Sequence, residues 1–101
     1  MSGMQLTELQ KKFLRREAHS LKPVIAVGDK GITQALLAEV ESAIDHHELI
    51  KIRVRASDRE QRDAAIETII VASQASLVSR IGNVAAIYRP RKKKPGIVLP
   101  V

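Results

Sequence analysis

Between residues 24 and 55 the spacing of apolar residues changes period twice, and this constrains the fold more than any other feature of the chain. Val24-Ile25-Ala26-Val27 is an unbroken apolar run, closed by Pro23 on one side and Gly28 on the other. Its short length and its borders favour a buried central strand over a helix. Leu36, Leu37, Val40 and Ile44 then recur at helical spacing, which predicts a helix from about Thr33 to His46. From Leu49 to Arg55 the period drops to that of a strand. Ile50, Ile52 and Val54 take one face, and Lys51, Arg53 and Arg55 take the other. Strands separated by one helix can lie parallel through a right-handed crossover.

The flanking segments extend this pattern. Thr7-Glu8-Leu9-Gln10 reads as a capping box, with Thr7 as N-cap and Gln10 at the third helical position. Leu6, Leu9 and Phe13 form an apolar stripe, so a first helix is expected from about Thr7 to Ala18. It ends before Pro23, which disfavours helical geometry at Lys22. Asp58-Arg59-Glu60-Gln61 opens a third helix that runs to about Ser73, with Ile66, Ile69 and Ile70 as its stripe. Leu77 to Ile81 and Val84 to Tyr88 are strands. Gly82-Asn83 between them suits a type II′ hairpin. The expected order is α-β-α-β-α-β-β, in one compact layered α/β domain with a mixed four-stranded sheet. Residues 1–90 form the domain. Residues 91–101 form a basic C-terminal tail that can pack back through residues 97–99.

Charge narrows the partner. The 101 residues hold 17 Lys+Arg against 11 Asp+Glu, a net charge of +6 and a pI near 10.1. A hydrophobic share of 45% is enough for an ordinary core, so the excess positive charge points to a polyanion. The charge is unevenly spread. Residues 31–50 carry Glu39, Glu41, Asp45 and Glu48 with no Lys or Arg, whereas Arg89, Arg91, Lys92, Lys93 and Lys94 crowd the tail. The body of the second helix is therefore a poor surface for a polyanion, and its N-terminal end is the usable one.

Reaction chemistry finds little support. No cysteine is present, which excludes disulfides, thiol catalysis and Cys-bearing zinc sites. His46 and His47 are adjacent, so on a helix they do not form an i, i+4 metal pair; they suit the helix C-terminus instead. Glu39 and Glu41 do not share a helical face. Gly31 is followed by Ile32-Thr33, which rules out a Walker A loop. The chain is expected to be a non-enzyme with no cofactor and no metal. It has no signal-like segment and no apolar run of membrane-spanning length, so a soluble, cytoplasmic, monomeric protein without a membrane partner is expected. Phe13 and Tyr88 are its only aromatic residues, too few for a broad base-stacking platform.

The candidate site starts at Gly28-Asp29-Lys30-Gly31. A loop at a helix N-terminus offers backbone N–H groups and the positive end of the helix dipole. Two glycines let a phosphate come close to the backbone, as the GxxG loop of KH-type domains does. The expected RNA-binding residues are Gly28, Lys30 and Gly31, with Lys22 upstream and Lys51, Arg53 and Arg55 on the strand. Lys12 and Arg15 on the first helix join them, as do Arg89, Arg91 and Lys92 from the tail. Blander readings stay open: a glycine pair that only makes a turn, and a basic row that only keeps a strand face soluble. A protein-interaction module docking through the acidic second helix or a sheet edge is the alternative function.

These residues together resemble a known family. Phe13-Leu14-Arg15-Arg16-Glu17-Ala18-His19-Ser20-Leu21-Lys22-Pro23 runs into Val24-Ile25-Ala26-Val27-Gly28-Asp29-Lys30-Gly31-Ile32-Thr33. His46-His47-Glu48-Leu49-Ile50-Lys51-Ile52, Asp58-Arg59-Glu60, Gly82-Asn83, Tyr88-Arg89-Pro90 and Ile97-Val98-Leu99-Pro100 follow. The set resembles the YhbY family, the stand-alone bacterial form of the CRM domain (chloroplast RNA splicing and ribosome maturation). The resemblance implies a fold similar to the C-terminal domain of a bacterial initiation factor. It also implies RNA binding through the GxxG loop and its basic neighbours, and association with ribosomal RNA in precursors of the large subunit. Asp29 departs from the polar or basic residues usual inside the family's loop, which shifts weight to the loop backbone, Lys30 and the flanking cations.

Overall fold

In the computed structural model, which describes residues 5–28, 30–56 and 58–101, each helix starts where a side chain caps it. Thr7 Oγ1 accepts the Gln10 N–H, and the Gln10 side chain accepts the Thr7 N–H. This reciprocal pair opens α1 (Glu8–His19). Thr33 Oγ1 accepts the Leu36 N–H at the start of α2 (Gln34–His47). Asp58 Oδ1 accepts the Gln61 N–H at the start of α3 (Arg59–Ser73). The strands are β1 (Ile25–Val27), β2 (Leu49–Val54), β3 (Ser76–Ile81) and β4 (Val84–Tyr88), in the expected chain order.

The four strands form one mixed sheet in the order β1-β2-β4-β3. β1 runs parallel to β2, with Ile25 opposite Ile52 and Val27 opposite Val54. β4 is antiparallel to both β2 and β3, with Leu49 opposite Tyr88 and Ile81 opposite Val84. Gly82 carries a φ of 60° in the β3–β4 turn, the conformation that the first position of a type II′ turn requires.

Two expectations need correction. β1 is an edge strand, not a central one. Ile25 and Val27 are buried while Val24 and Ala26 are exposed, so the apolar run covers one face only. A continuous run does not say whether both faces are covered; packing decides that. The stripe of α1 is also rotated. Leu9 is 54% exposed, and the buried positions are Leu14 and Ala18. Leu6 lies before the cap, outside the helix, yet it and Phe13 pack half-buried against this side of the sheet, so only Leu9 leaves the expected stripe.

The sheet has a core on each side. Ile25, Val27, Ile50, Ile52, Val54, Ala85 and Ile87 pack against Leu36, Val40 and Ile44 of α2 and Ile66, Ile69 and Ile70 of α3. Each of the Val, Leu and Ile side chains among them contributes about 1.5–3 kcal/mol when fully buried. On the other side Leu14 and Ala18 of α1 pack on Leu49, Val78, Ala86 and Tyr88. Leu6, Phe13, Ile97 and Leu99 lie half-buried around them. α1 therefore covers the Leu49–Tyr88 end of its face. Farther along that face, Lys51, Arg53, Ser79, Ile81 and Val84 line an open groove.

Candidate nucleic-acid interface

The parallel pairing of β1 and β2 decides what meets at the upper end of the sheet. Both strands end there, and the Arg55 N–H donates to Val27 O at 3.0 Å, which sets Arg55 beside Gly28. Val54 N–H donates to Asn83 O at 2.7 Å, so the β3–β4 turn adjoins the same end. α2 and α3 begin here as well, at Thr33 and Asp58. The ends of parallel strands, topped by helix N-termini, are a common place for ligands in α/β sheets.

The loop itself is partly committed. Gly31 N–H donates to Gly28 O at 3.0 Å and closes the turn. Thr33 already occupies the Leu36 N–H. The expectation of uniformly free backbone donors is thus too generous, because the turn and the helix cap consume two of them. The glycines also differ. Gly31 has a φ of 70°, which an L side chain adopts only with strain, whereas Gly28 has no positive φ and nothing within 4 Å of where its Cβ would lie. The turn needs Gly31; Gly28 leaves open surface. Lys30 is exposed between them, and Asp29 lies outside the described residues.

The basic row of β2 runs toward this loop. Arg53 and Arg55 are exposed, whereas Lys51 is half-buried with Nζ donating to Leu21 O at 3.0 Å. That bond ties β2 to the segment after α1, where Lys22 is exposed. Lys12 and Arg15 stand exposed on α1, above the half of the face that this helix covers. Gly28, Lys30, Gly31, Arg53 and Arg55 therefore come together at the upper end. Lys51 and Lys22 lie along its approach.

Arg59, Arg62, Arg80 and Gly82 line a concavity next to this end, and none of them is among the RNA-binding residues expected from sequence. Arg80 is ion-paired with Asp63. Arg59 is exposed in the first turn of α3, where a cation opposes the helix dipole. That electrostatic misfit was the available signal.

The tail residues go elsewhere. Tyr88 is opposite both Leu49 and Ser76, so the chain leaves the sheet at its lower end. Eight residues of β2 and its flanks, from Glu48 to Arg55, put on the order of 20 Å between the two ends. Arg89 Nη1 donates to Glu41 Oε1 at 2.6 Å and to Ser73 O at 2.9 Å, and Nη2 lies 3.8 Å from Asp45 Oδ1. Its guanidinium ties α2 to the end of α3. The same contacts occupy Glu41 and Asp45, which compromises the acidic helix as a docking face.

Glu48, read from sequence as one acid among four and as part of the His46–Ile52 segment of the family resemblance, is the most enclosed charged group of the lower end. It caps α2 with a φ of 67° and is 2% exposed. Burial pushes its carboxyl up, but the N–H groups of Arg91, Gly96 and Ile97 and the Arg91 charge outweigh this, so it is held below its ordinary value. Burial raises the Tyr88 phenol, and the Glu48 charge adds to that. Among the described residues no group of His, Asp or Glu side chains could hold a metal ion, and no helix is long and apolar enough to cross a membrane.

Comparison with known proteins agrees with this architecture. The family model described as CRS1 / YhbY (CRM) domain matches residues 6–89. The chain is 42% identical over 88 residues to a protein of Haemophilus influenzae named RNA-binding protein, covering 87% of this chain and 89% of that one. It is 35% identical over 95 residues to the Bacillus subtilis protein named probable RNA-binding protein YqeI, covering 94% and 99%. The solution structure of a hypothetical Staphylococcus aureus protein, described as a candidate RNA binder, superposes with a TM-score of 0.80 at 32% identity. That match covers 95% of this chain and all of the other.

Proposed function

Since the chain belongs to the CRS1 / YhbY (CRM) domain family, we propose that it is an RNA-binding protein that grips phosphate at the upper end of its sheet. It acts as a cytoplasmic, monomeric assembly factor on precursors of the large ribosomal subunit, by binding and not by catalysis. The carrying observation is the Arg55–Val27 backbone bond. It sets the start of the GxxG loop beside the end of the basic row of β2. Phosphate oxygens accept from Lys30, Arg53 and Arg55, while the bare Gly28 position lets the strand approach the backbone. RNA-binding names among close relatives support the ligand class. The ribosomal assignment rests on the family resemblance.

Gly28→Ala tests the contact with little risk to the fold, since the added methyl meets open space. It is expected to weaken binding to ribosomal RNA fragments in a filter assay while thermal unfolding stays unchanged. Unchanged affinity would move the site away from the loop. Particles sedimented at low salt should carry the protein and lose it as salt rises, because phosphate contacts release counterions. A protein absent from pre-large-subunit fractions at every salt concentration would refute the assembly role.

A further inference from the structure

The basic tail is a loop closed at both ends by one carboxylate. Glu48 Oε2 accepts the Arg91 N–H at 2.9 Å. Its Oε1 accepts the Gly96 N–H at 2.7 Å and the Ile97 N–H at 3.0 Å, and Arg91 Nη2 lies 3.8 Å away. Between these fixed points stand Lys92, Lys93, Lys94 and Pro95, all exposed. Past the clamp, Ile97 and Leu99 pack against the α1 side of the sheet, and Gln10 Nε2 donates to Pro100 O at 3.1 Å. Gly96 keeps the closure tight: a Cβ there would stand 2.6 Å from Arg91 Nη2 and 3.0 Å from Glu48 Oε1.

The arrangement sorts the cations of the tail. Arg89 and Arg91 are neutralised by Glu41 and Glu48. The three lysines form no ion pair among the described residues. Their charge is therefore unanswered there, and the backbone that carries them is held on both sides by Glu48. A preordered cationic loop binds an anion without the entropic cost of fixing a floppy tail.

We propose that Lys92, Lys93 and Lys94 form a second phosphate contact for RNA, held in place by Glu48, so that one strand is gripped at both ends of β2. This rests on the reading of the upper end as an RNA contact. Linking two contacts through one strand raises affinity by effective concentration, without new specificity. Glu48 acts here as a positioning residue.

The test measures binding of a 24-nucleotide oligouridylate by fluorescence anisotropy across a salt series. Replacing Lys92, Lys93 and Lys94 together by Ala should weaken binding about tenfold at 0.1 M salt, and should lower the logarithmic salt slope by about 2, at roughly 0.7 per phosphate contact. Glu48→Gln should weaken binding about threefold in the native background and have no effect once the lysines are gone. Such a coupling would not arise from loss of stability alone. If Glu48→Gln does not fold, the triple variant still decides, since all of its positions are exposed. An unchanged slope in the triple variant, with a lowered slope for Lys30→Ala and Arg55→Ala, would overturn the second contact and leave the first standing. Unchanged slopes in both sets would overturn both.

Discussion

The two ends of the sheet carry charge of the same sign on very different supports. At the upper end Lys30, Arg53 and Arg55 are exposed around a turn that keeps one glycine bare. At the lower end a buried carboxylate and a half-buried guanidinium bind three separate stretches of backbone. The upper end leaves the side chains of Lys30, Arg53 and Arg55 exposed, whereas the lower end uses Arg89 and Arg91 internally and leaves only Lys92, Lys93 and Lys94 exposed. A count of basic residues cannot make that distinction. Arg89 and Arg91 look like tail cations in the sequence, yet they serve as cross-links.

The contrast is broken most severely at Glu48. Glu48→Ala leaves three backbone donors and the Arg91 charge without their acceptor, and is expected to destabilise the domain by about 3–5 kcal/mol in urea unfolding. A loss no larger than that of an exposed substitution would mean that the clamp contributes nothing. Acid should release the same clamp. Because the Glu48 carboxyl is held below its ordinary value in the fold, its contribution is fully present above the ordinary Glu pKa of about 4.3. It is lost as pH falls through the depressed value. Tail amide protection followed by NMR should stay constant through neutral pH and fall only in acid. Release near neutrality would contradict the direction of the shift.

At the upper end the two glycines should separate. Gly31→Ala forces a side chain to a φ of 70° and is expected to cost about 1–2 kcal/mol, against less than about 0.5 kcal/mol for Gly28→Ala. Equal losses would mean that the turn, not access to the backbone, is what both residues provide. At the lower end Arg89 should matter far less than Glu48. Its partner Glu41 is more than half exposed, so Arg89→Ala should cost about 1 kcal/mol or less after solvent screening. It should leave the salt slope of RNA binding unchanged, whereas Arg55→Ala should lower it by about 0.7. A lowered slope for Arg89→Ala would return that residue to the interface.

Most of the secondary structure was legible because it follows from local rules. Thr7 and Asp58 announce their helices by capping chemistry, and Ile50, Ile52 and Val54 announce their strand by alternation. On α1 the spacing of Leu6, Leu9 and Phe13 found two residues at the core edge but missed Leu14 and Ala18, whose buried face fits helical spacing equally well. The edge position of β1 was hidden because Val24 and Ala26 are apolar yet uncovered. Within the candidate site, Gly28, Lys30, Gly31, Arg53 and Arg55 were all named from sequence and all lie together. Arg59 was not named for the site, and Glu48 was read as part of an acidic surface and of the family segment without a structural role, since no local pattern says that a carboxylate will meet the chain more than forty residues later.

The sequence by itself determined the order of helices and strands, the position of the glycine loop before a helix, and the excess of positive charge. These depend on residue type and on spacing over a few neighbours. Only the tertiary structure decided which cations stay free. The pairing of β2 with β1 and β4 sent the loop to one end of the sheet and the tail to the other. The burial of Glu48 and the reach of Arg89 then fixed which charges are answered within the fold. Both depend on contacts between residues far apart in the chain, where desolvation and geometry determine the partner.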